Sequence, residues 1–450
     1  LRRADSVPDF DELIPAKPGP DKADEAVTGR PPISFSLRAH PSFAAYLTGE
    51  AASLLGTSAH AVALPALAVL VLHANPGQVA TLAVLSQAPA FVLALAAGAY
   101  VDQHPKRPVL IGSDLVAAAA VAAIPLTALG GMLSFPVLYA VALIVGSATV
   151  LHLAAAIAVV PELVPAPLLH EANSRVGSAF SLADTLGAYA GAGVVASLGA
   201  VRAFWLDALS YALSAWCATR VRLEHRARPA QERERLGPAM WTGLVFVART
   251  PVVRPLVLSL SLTGVGATLI EVYRAYYLLT VLDAGALGLG IVTGVCGIGG
   301  VIGALKAPRL ARRFGPGPVM LAAFGLYPVL GVPLLLARPG PGWLAVLALT
   351  GAVQMAAATC AGTTQRSVRQ QLTPAKLQGR AQQTSTWLVS GTRPFASAGA
   401  GVLAGAFSVP TAMWTGTAIL CLPPLLLLVS RVGRLTAMPL AVVSPIQEAA

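Results

Sequence analysis

The sequence predicts an all-α integral membrane protein with about twelve transmembrane helices in two six-helix halves, and three observations carry that expectation. Of its 450 residues 56% are hydrophobic and 11% charged, with a mean hydropathy of +0.70, whereas soluble domains carry roughly 25% charged residues. The apolar residues fall into successive runs long enough to cross a hydrocarbon core of about 30 Å as helix. The Lys and Arg residues crowd into alternate breaks between those runs.

The runs cover residues 43–72, 79–101, 109–129, 135–160, 172–198 and 201–219, then 256–282, 286–305, 319–337, 343–362, 385–407 and 411–430. Residues 1–40, rich in Pro, Asp and Lys and lacking a signal-type apolar core, are expected to be a disordered cytoplasmic tail. The first residue is Leu1 rather than Met, so the natural start is expected elsewhere. An N-terminal half over 41–219, a basic cytoplasmic linker over 220–250, a C-terminal half over 251–431 and a cytoplasmic tail over 432–450 complete the expected organisation.

Charge fixes the expected orientation. With the N-terminus in the cytoplasm, all but four of the 31 Lys and Arg residues fall on the cytoplasmic side. Arg202 and Arg338 fall outside, and Arg274 and Arg393 lie within runs. The positive-inside rule then places both termini in the cytoplasm of a cell or inner-membrane protein. The net charge of +11 is thereby assigned to membrane topology and not to nucleic-acid binding. Cys217, Cys296, Cys360 and Cys421 stand singly in apolar stretches without metal or redox spacing, so they read as packing residues.

The two halves echo each other. Pro41 and Pro251 open the first and seventh runs at an offset of 210, Gly98 answers Gly303 at 205, and Pro165 answers Pro374 at 209. A near-constant offset points to two parallel structural repeats.

The break Gly98-Ala-Tyr-Val-Asp102-Gln-His-Pro-Lys106-Arg107-Pro108 reads as a tight turn at the membrane surface. There Gly98 would let helix ends approach closely, and Asp102 would accept hydrogen bonds. It resembles motif A of the major facilitator superfamily, with Gln103 where the family usually has Arg. Val160-Pro-Glu162-Leu-Val164-Pro165, Leu206-Asp207-Ala-Leu-Ser210-Tyr211, Arg249-Thr-Pro251-Val-Val-Arg254-Pro255 and Pro308-Arg309-Leu-Ala-Arg312-Arg313-Phe-Gly315 extend the likeness. Together they are similar to the drug and siderophore exporter branch, over roughly residues 41–431. The stretch Gly187-Ala-Tyr-Ala-Gly191-Ala-Gly193 occupies the place of motif C, with Ala188 for its Pro, so close helix contact is kept and the Pro kink lost.

The resemblance implies alternating access of two halves, with Gly98, Asp102, Lys106 and Arg107 facing Arg309, Arg312 and Arg313 as a cytoplasmic gate. It also implies secondary transport without a catalytic residue, metal or cofactor. No Walker-type phosphate loop is present, because Gly297-Ile-Gly299-Gly300 lies in an apolar run that suits helix packing.

Candidate chemistry lies where lipid should exclude charge. An unpaired charge at the bilayer centre costs at least about 2.5 to 3.5 kcal/mol, so each such group needs a cavity, a partner or a proton. Glu50 and Asp184 are the proton-coupling candidates, because a low dielectric favours the protonated form of a carboxyl; the alternative is a structural hydrogen bond or helix pairing. Glu271 and Arg274 share a helix face and read either as a self-neutralising pair or as cavity groups. Arg393 has no acidic neighbour in sequence and needs Glu271 or a substrate anion. His60 and His152 are either core histidines or part of the transport path, while Asp207, expected to pair with Arg202, and Asp114 read as structural.

The expected function is proton-coupled efflux of a small, moderately hydrophobic molecule such as a drug, siderophore or secondary metabolite, by a monomer in the lipid bilayer. The alternatives are proton-coupled uptake and a transporter-like receptor that does not transport.

Overall fold

The computed structural model describes residues 40–164, scattered positions of 165–199, and residues 200–222, 244–373 and 378–438. Every regular element among them is a helix. The first bundle contains α1 (Pro41–Ala66), α2 (Pro76–Gln103), α3 (Lys106–Leu129), α4 (Phe135–Leu163) and α5 (Ala200–Arg220). The second contains α6 (Val253–Thr280), α7 (Gly285–Phe314), α8 (Pro316–Leu336), α9 (Pro341–Leu372), α10 (Gln378–Gly391), α11 (Arg393–Ala406), α12 (Val409–Leu420) and α13 (Leu422–Val429). Residues 1–39 of the expected tail 1–40, most of the linker and the terminal 439–450 lie outside the described residues.

Local chemistry sets the helix starts. Pro occupies the first turn of α1, α2, α4, α8, α9, α11 and α12, where its missing N–H costs nothing and its fixed φ suits a helix. At α2 the Asn75 side chain accepts from the Gln78 N–H, and Gln78 Oε1 accepts from the Asn75 N–H, both at 2.9 Å. Pro65 inside α1 removes an intrahelical donor, and the chain continues as a π-turn over Leu67–Val71. Gly315 takes φ 86° between α7 and α8, a left-handed value that allows the sharp reversal there.

Nine of the described helical segments are long and apolar enough to cross a membrane. The other three runs escape that criterion for different reasons. The fifth lies largely outside the described residues, α5 carries Arg202, Asp207 and Arg220, and the eleventh is divided at Thr392 into α10 and α11 of 14 residues each. Only 17% of the apolar window in α2 and 50% of that in α3 is buried. Exposed side chains such as Leu153, Leu209, Val329 and Val402 cover the outer faces. Apolar helices that keep half or more of their surface uncovered need lipid as their solvent.

Two sequence expectations are revised. Gly98 and Asp102 belong to α2, Lys106 and Arg107 open α3, and Arg309, Arg312 and Arg313 ride on the last turns of α7, so the expected gate loops are helical. The helices overrun the apolar runs because a polar turn outside the hydrocarbon keeps its backbone hydrogen bonds. Cys421 is exposed, whereas Cys217, Cys296 and Cys360 are buried as packing residues should be.

Close helix packing runs through small residues. On α7, a Cβ added to Gly299 or Gly303 would overlap the carbonyl oxygens of Ala352 or Ala356 on α9. In the fifth run, a Cβ on Gly187 would meet Ser58 Cβ at 2.5 Å and Leu55 O at 2.9 Å, and one on Gly191 would meet Ala59 Cα at 2.5 Å. The contact with α1 is therefore close without the motif's Pro.

The two bundles meet at the end remote from the basic helix ends. There the buried Tyr273 hydroxyl donates toward the Pro76 carbonyl at 3.2 Å and the Ala400 carbonyl at 3.4 Å. Deeper along α2, Gln87 Nε2 donates to Ser397 Oγ at 2.9 Å, and Phe91 stacks on Trp387 with ring centroids 5.6 Å apart. At the basic end Lys106 pairs with Glu162 at 3.8 Å and Arg107 donates to the Thr219 carbonyl, both within the first bundle. Arg309, Arg312 and Arg313 are exposed and have no ion pair among the described residues. A Cβ on Gly98 would meet nothing within 4 Å among the described residues, so its expected close approach is not formed with them.

Candidate functional site

Between the bundles lies a cavity of about 570 Å³. The first bundle contributes Thr57, His60, Gln87 and Thr149; the second contributes Thr268, Glu271 and Arg393. Between these polar groups the wall is apolar, with Leu64, Leu82, Val145 and Val272. A volume of this order and a mostly apolar lining with a few polar groups suit a drug-sized ligand.

Charge within this site is arranged unevenly. Glu271 Oε2 lies 3.0 Å from an Arg274 guanidinium nitrogen, one turn along α6. Glu271 faces the cavity, while Arg274 reaches with it into an enclosed pocket of about 40 Å³ beside Cys296, Tyr327 and Gln354. Arg393 opens α11 exposed to the cavity and has no ion pair or hydrogen bond among the described residues. The Glu271 partner anticipated for Arg393 is thus engaged by Arg274 here, because residues three apart on a helix meet without any tertiary arrangement.

His60 Nδ1 is 2.6 Å from Asp207 Oδ2 across the α1–α5 seam. The expected pairing of Asp207 with Arg202 is not formed, since residues five apart on a helix point to different faces. Gly56 makes the observed contact possible: a Cβ there would stand 2.9 Å from Asp207 Oδ1 and overlap the Ser210 hydroxyl. The imidazole also meets Phe204 edge to face at 5.3 Å between centroids.

His152 lies behind the cavity wall. Its Nε2 is 3.1 Å from Glu50 Oε2 and its Nδ1 2.9 Å from Asp114 Oδ1, which joins α4, α1 and α3. A neutral imidazole has one N–H and can donate to only one of two carboxylates. Only the Nε2–Glu50 contact is a hydrogen bond; His152 Nδ1 and both Asp114 oxygens are buried with no hydrogen-bond partner among the described residues, a cost that an added proton on the trio would relieve. The arrangement is therefore a place where a proton can be kept away from water.

Of the residues singled out from sequence, His60, Glu271 and Arg393 line the cavity, Arg274 lies just behind it, and Glu50 and His152 form the buried cluster. The side chain of Asp102 and the whole of Asp184 lie outside the described residues. Sequence reading passed over Asp114 and Asp207 as structural. The available signal was that an ionisable residue inside an apolar run is by default a functional candidate.

Two membrane-embedded helical bundles that face each other across a shared cavity are the architecture of a multi-pass membrane transporter. Residues 34–449 match the family described as transmembrane secretion effector, and the chain belongs to that family of the major facilitator superfamily. It is 28% identical over 314 residues to the multidrug efflux pump Tap of Mycolicibacterium fortuitum, across 67% of this chain and 76% of that one. Its fold matches the nucleoside transporter NupG (D323A mutant) at 10% identity, with a TM-score of 0.73 over 86% of this chain and 99% of that one. A bacterial homologue of the iron transporter ferroportin, in its inward-facing state, matches at 16% identity with a TM-score of 0.68, over 87% and 98%.

Proposed function

We propose that this transporter exports a small, moderately hydrophobic molecule from the cytoplasm in exchange for protons, as a monomer in the plasma or inner membrane. The observation that carries this reading is the central cavity, apolar for the most part, with the Glu50–His152–Asp114 carboxylate–imidazole cluster behind its wall. The positive-inside rule puts the basic ends and both termini in the cytoplasm, so the state described is the one that loads from that side. The likeness to an efflux pump supports the outward direction.

In this mechanism a substrate enters between the basic ends and lies against the apolar wall. Movement of the bundles then closes the Gly98 to Arg107 segment against Arg309, Arg312 and Arg313 and parts the Tyr273 contact at the other end. Loss of a proton from the Glu50, His152 and Asp114 cluster changes the charge buried in the first bundle and biases the two arrangements. Asp184 remains a second candidate carrier, on its position in the fifth run.

Flux into inverted or reconstituted vesicles under an imposed pH gradient tests the reading. Accumulation driven by vesicle-interior acidity supports exchange. Accumulation driven by the opposite gradient establishes uptake, and binding without flux establishes a receptor.

Arg393 gives the cavity a positive charge with no ion pair among the described residues, so the preferred substrates carry an anionic group. Arg393→Ala is expected to lower transport of an acidic dye by about tenfold, the worth of one charge-assisted contact of about 1.4 kcal/mol, and to change transport of a neutral analogue little. Paired uptake assays with the two dyes check this. Equal losses for both would remove Arg393 from substrate recognition.

A further inference from the structure

We infer that the His60–Asp207 pair is an ammonium subsite of the central cavity, so that the exported molecule is an amphipathic zwitterion whose amine and an incoming proton are alternative occupants of His60 Nε2. The inference rests on the export reading for its purpose and names the substrate class of the same cavity.

The 2.6 Å contact between His60 Nδ1 and Asp207 Oδ2 fixes the tautomer. A carboxylate oxygen only accepts, so the neutral ring carries its proton on Nδ1 and keeps the Nε2 lone pair as an acceptor. Nε2 makes no hydrogen bond among the described residues and is not shut away from the space around the ring. His60 lines the cavity, while Asp207, 3% exposed, does not. The ring therefore stands between the carboxylate and the substrate, with Nε2 as its open acceptor.

Asp207 supplies an independent reason for a cation here. Its Oδ1 is buried with no hydrogen-bond partner among the described residues, and the Ser210 hydroxyl donates to the Asp207 backbone carbonyl instead. A buried carboxylate so poorly served draws its compensation through the imidazole.

The charges around the cavity balance for a zwitterion. With His60 neutral, Asp207 gives the first bundle's side one negative charge and Arg393 gives the second's one positive charge, while Glu271 is met by Arg274 at 3.0 Å. An ammonium group on Nε2 and an acid group on Arg393 leave neither charge uncompensated in a medium where that is costly. Such a ligand touches both bundles, whereas one with a single charge engages only one of them by charge.

When the amine departs it keeps its own protons, and Nε2 takes one from water. The pair then passes from one negative charge to none, and the imidazolium N–H offers nothing for the next ammonium group to donate to. Proton and amine compete for one atom, which is the linkage that exchange requires.

Of the titratable groups near His60, α5 brings Asp207 and Tyr211, α6 brings Glu271 with Arg274, and α11 brings Arg393. Farther along α1, Glu50 is engaged by His152 on α4, with Asp114 on α3 beside it. Among the described residues α2, α7 and the π-turn add no titratable group to the cavity wall, and Asp184 lies outside them.

Three dansyl probes of one chain length test this. Nε-dansyl-lysine carries both charges, dansyl-aminocaproate only the acid and dansylcadaverine only the amine. Binding to the purified full-length protein in lipid nanodiscs is read from dansyl fluorescence against empty nanodiscs. The native protein is expected to bind dansyl-lysine about tenfold more tightly than either singly charged probe, the worth of one charge-assisted contact. That margin should close as pH falls from about 8 to about 6, where an imidazole takes up its proton. In weak buffer dansyl-lysine should release protons on binding, and dansyl-aminocaproate none. His60→Gln removes the titrating acceptor, and Asp207→Asn donates to Nδ1 and reverses the tautomer. In both variants dansyl-lysine should bind no better than dansyl-aminocaproate, whose retained binding at Arg393 shows that the cavity is intact. A flat pH profile in the native protein, no saturable binding of dansyl-lysine, or a margin that survives His60→Gln would overturn the inference. No flux or gradient enters these measurements, so they stand or fall separately from the direction of transport.

Discussion

In Glu50→Gln, proton-driven accumulation of substrate is expected to vanish while the protein remains abundant in the membrane. Glutamine keeps the size of the side chain and can still hydrogen-bond to His152 Nε2, now 3.1 Å from the Glu50 carboxylate, so the seam between α1 and α4 is retained. What is lost is the carboxyl that can bind and release a proton between the two arrangements of the bundles. A gradient of one pH unit contributes about 1.4 kcal/mol per proton exchanged, which sustains a concentration ratio of about tenfold. In the variant that ratio should fall to one. Vesicle flux measured with and without the gradient checks this. Full accumulation would clear Glu50 and turn attention to Asp114 and Asp184.

The second large effect concerns assembly. Gly299→Ala or Gly303→Ala places a methyl group onto the backbone oxygens of Ala352 or Ala356, on the helix pair α7 and α9. A backbone carbonyl in a helix cannot rotate away, so the helices must separate along their length. Overpacking of this kind costs about 1–3 kcal/mol where side chains can adjust and more where they cannot. Either variant is expected to lower folded protein in the membrane severalfold, by size-exclusion profile and thermal stability. Gly362→Ala, on α9 itself, meets nothing within 4 Å and serves as the control. Normal assembly of Gly303→Ala would mean that α7 and α9 do not pack as described.

Much of the architecture was legible because membrane insertion acts on short sequence windows. Pro41 and Pro76 begin helices where their ring is harmless, and apolar length identified all the runs whose helices are described. The polar ends were misread as loops for a physical reason: Arg309 and Arg313 leave the hydrocarbon, but nothing in that change of solvent ends a helix. The cavity groups were legible one by one, since Glu50, His60, Glu271 and Arg393 are conspicuous within apolar runs. Their partners were not. His152 touches residues 102 and 38 positions away, through a crossing of three helices that depends on which small residues let them approach. Gly56 is the signal that sequence offered for the His60–Asp207 contact, yet it acquires meaning only once α5 is placed against α1.

The central claim is that the two bundles alternate about the cavity, and a pair of distances tests it most directly. Spin labels at Gln103 and Phe314 report the basic end, and labels at Met132 and Arg338 the opposite end; all four side chains are exposed. Pulsed distance measurements in nanodiscs, as pH is lowered through the histidine and carboxyl range, should show reciprocal change. Protonation favours the arrangement that opens to the cytoplasm, so the basic-end distance lengthens in the same fraction of molecules in which the other shortens, and Glu50→Gln abolishes the response. Distances that stay fixed at every pH, or ends that open together, would contradict alternating access in this protein.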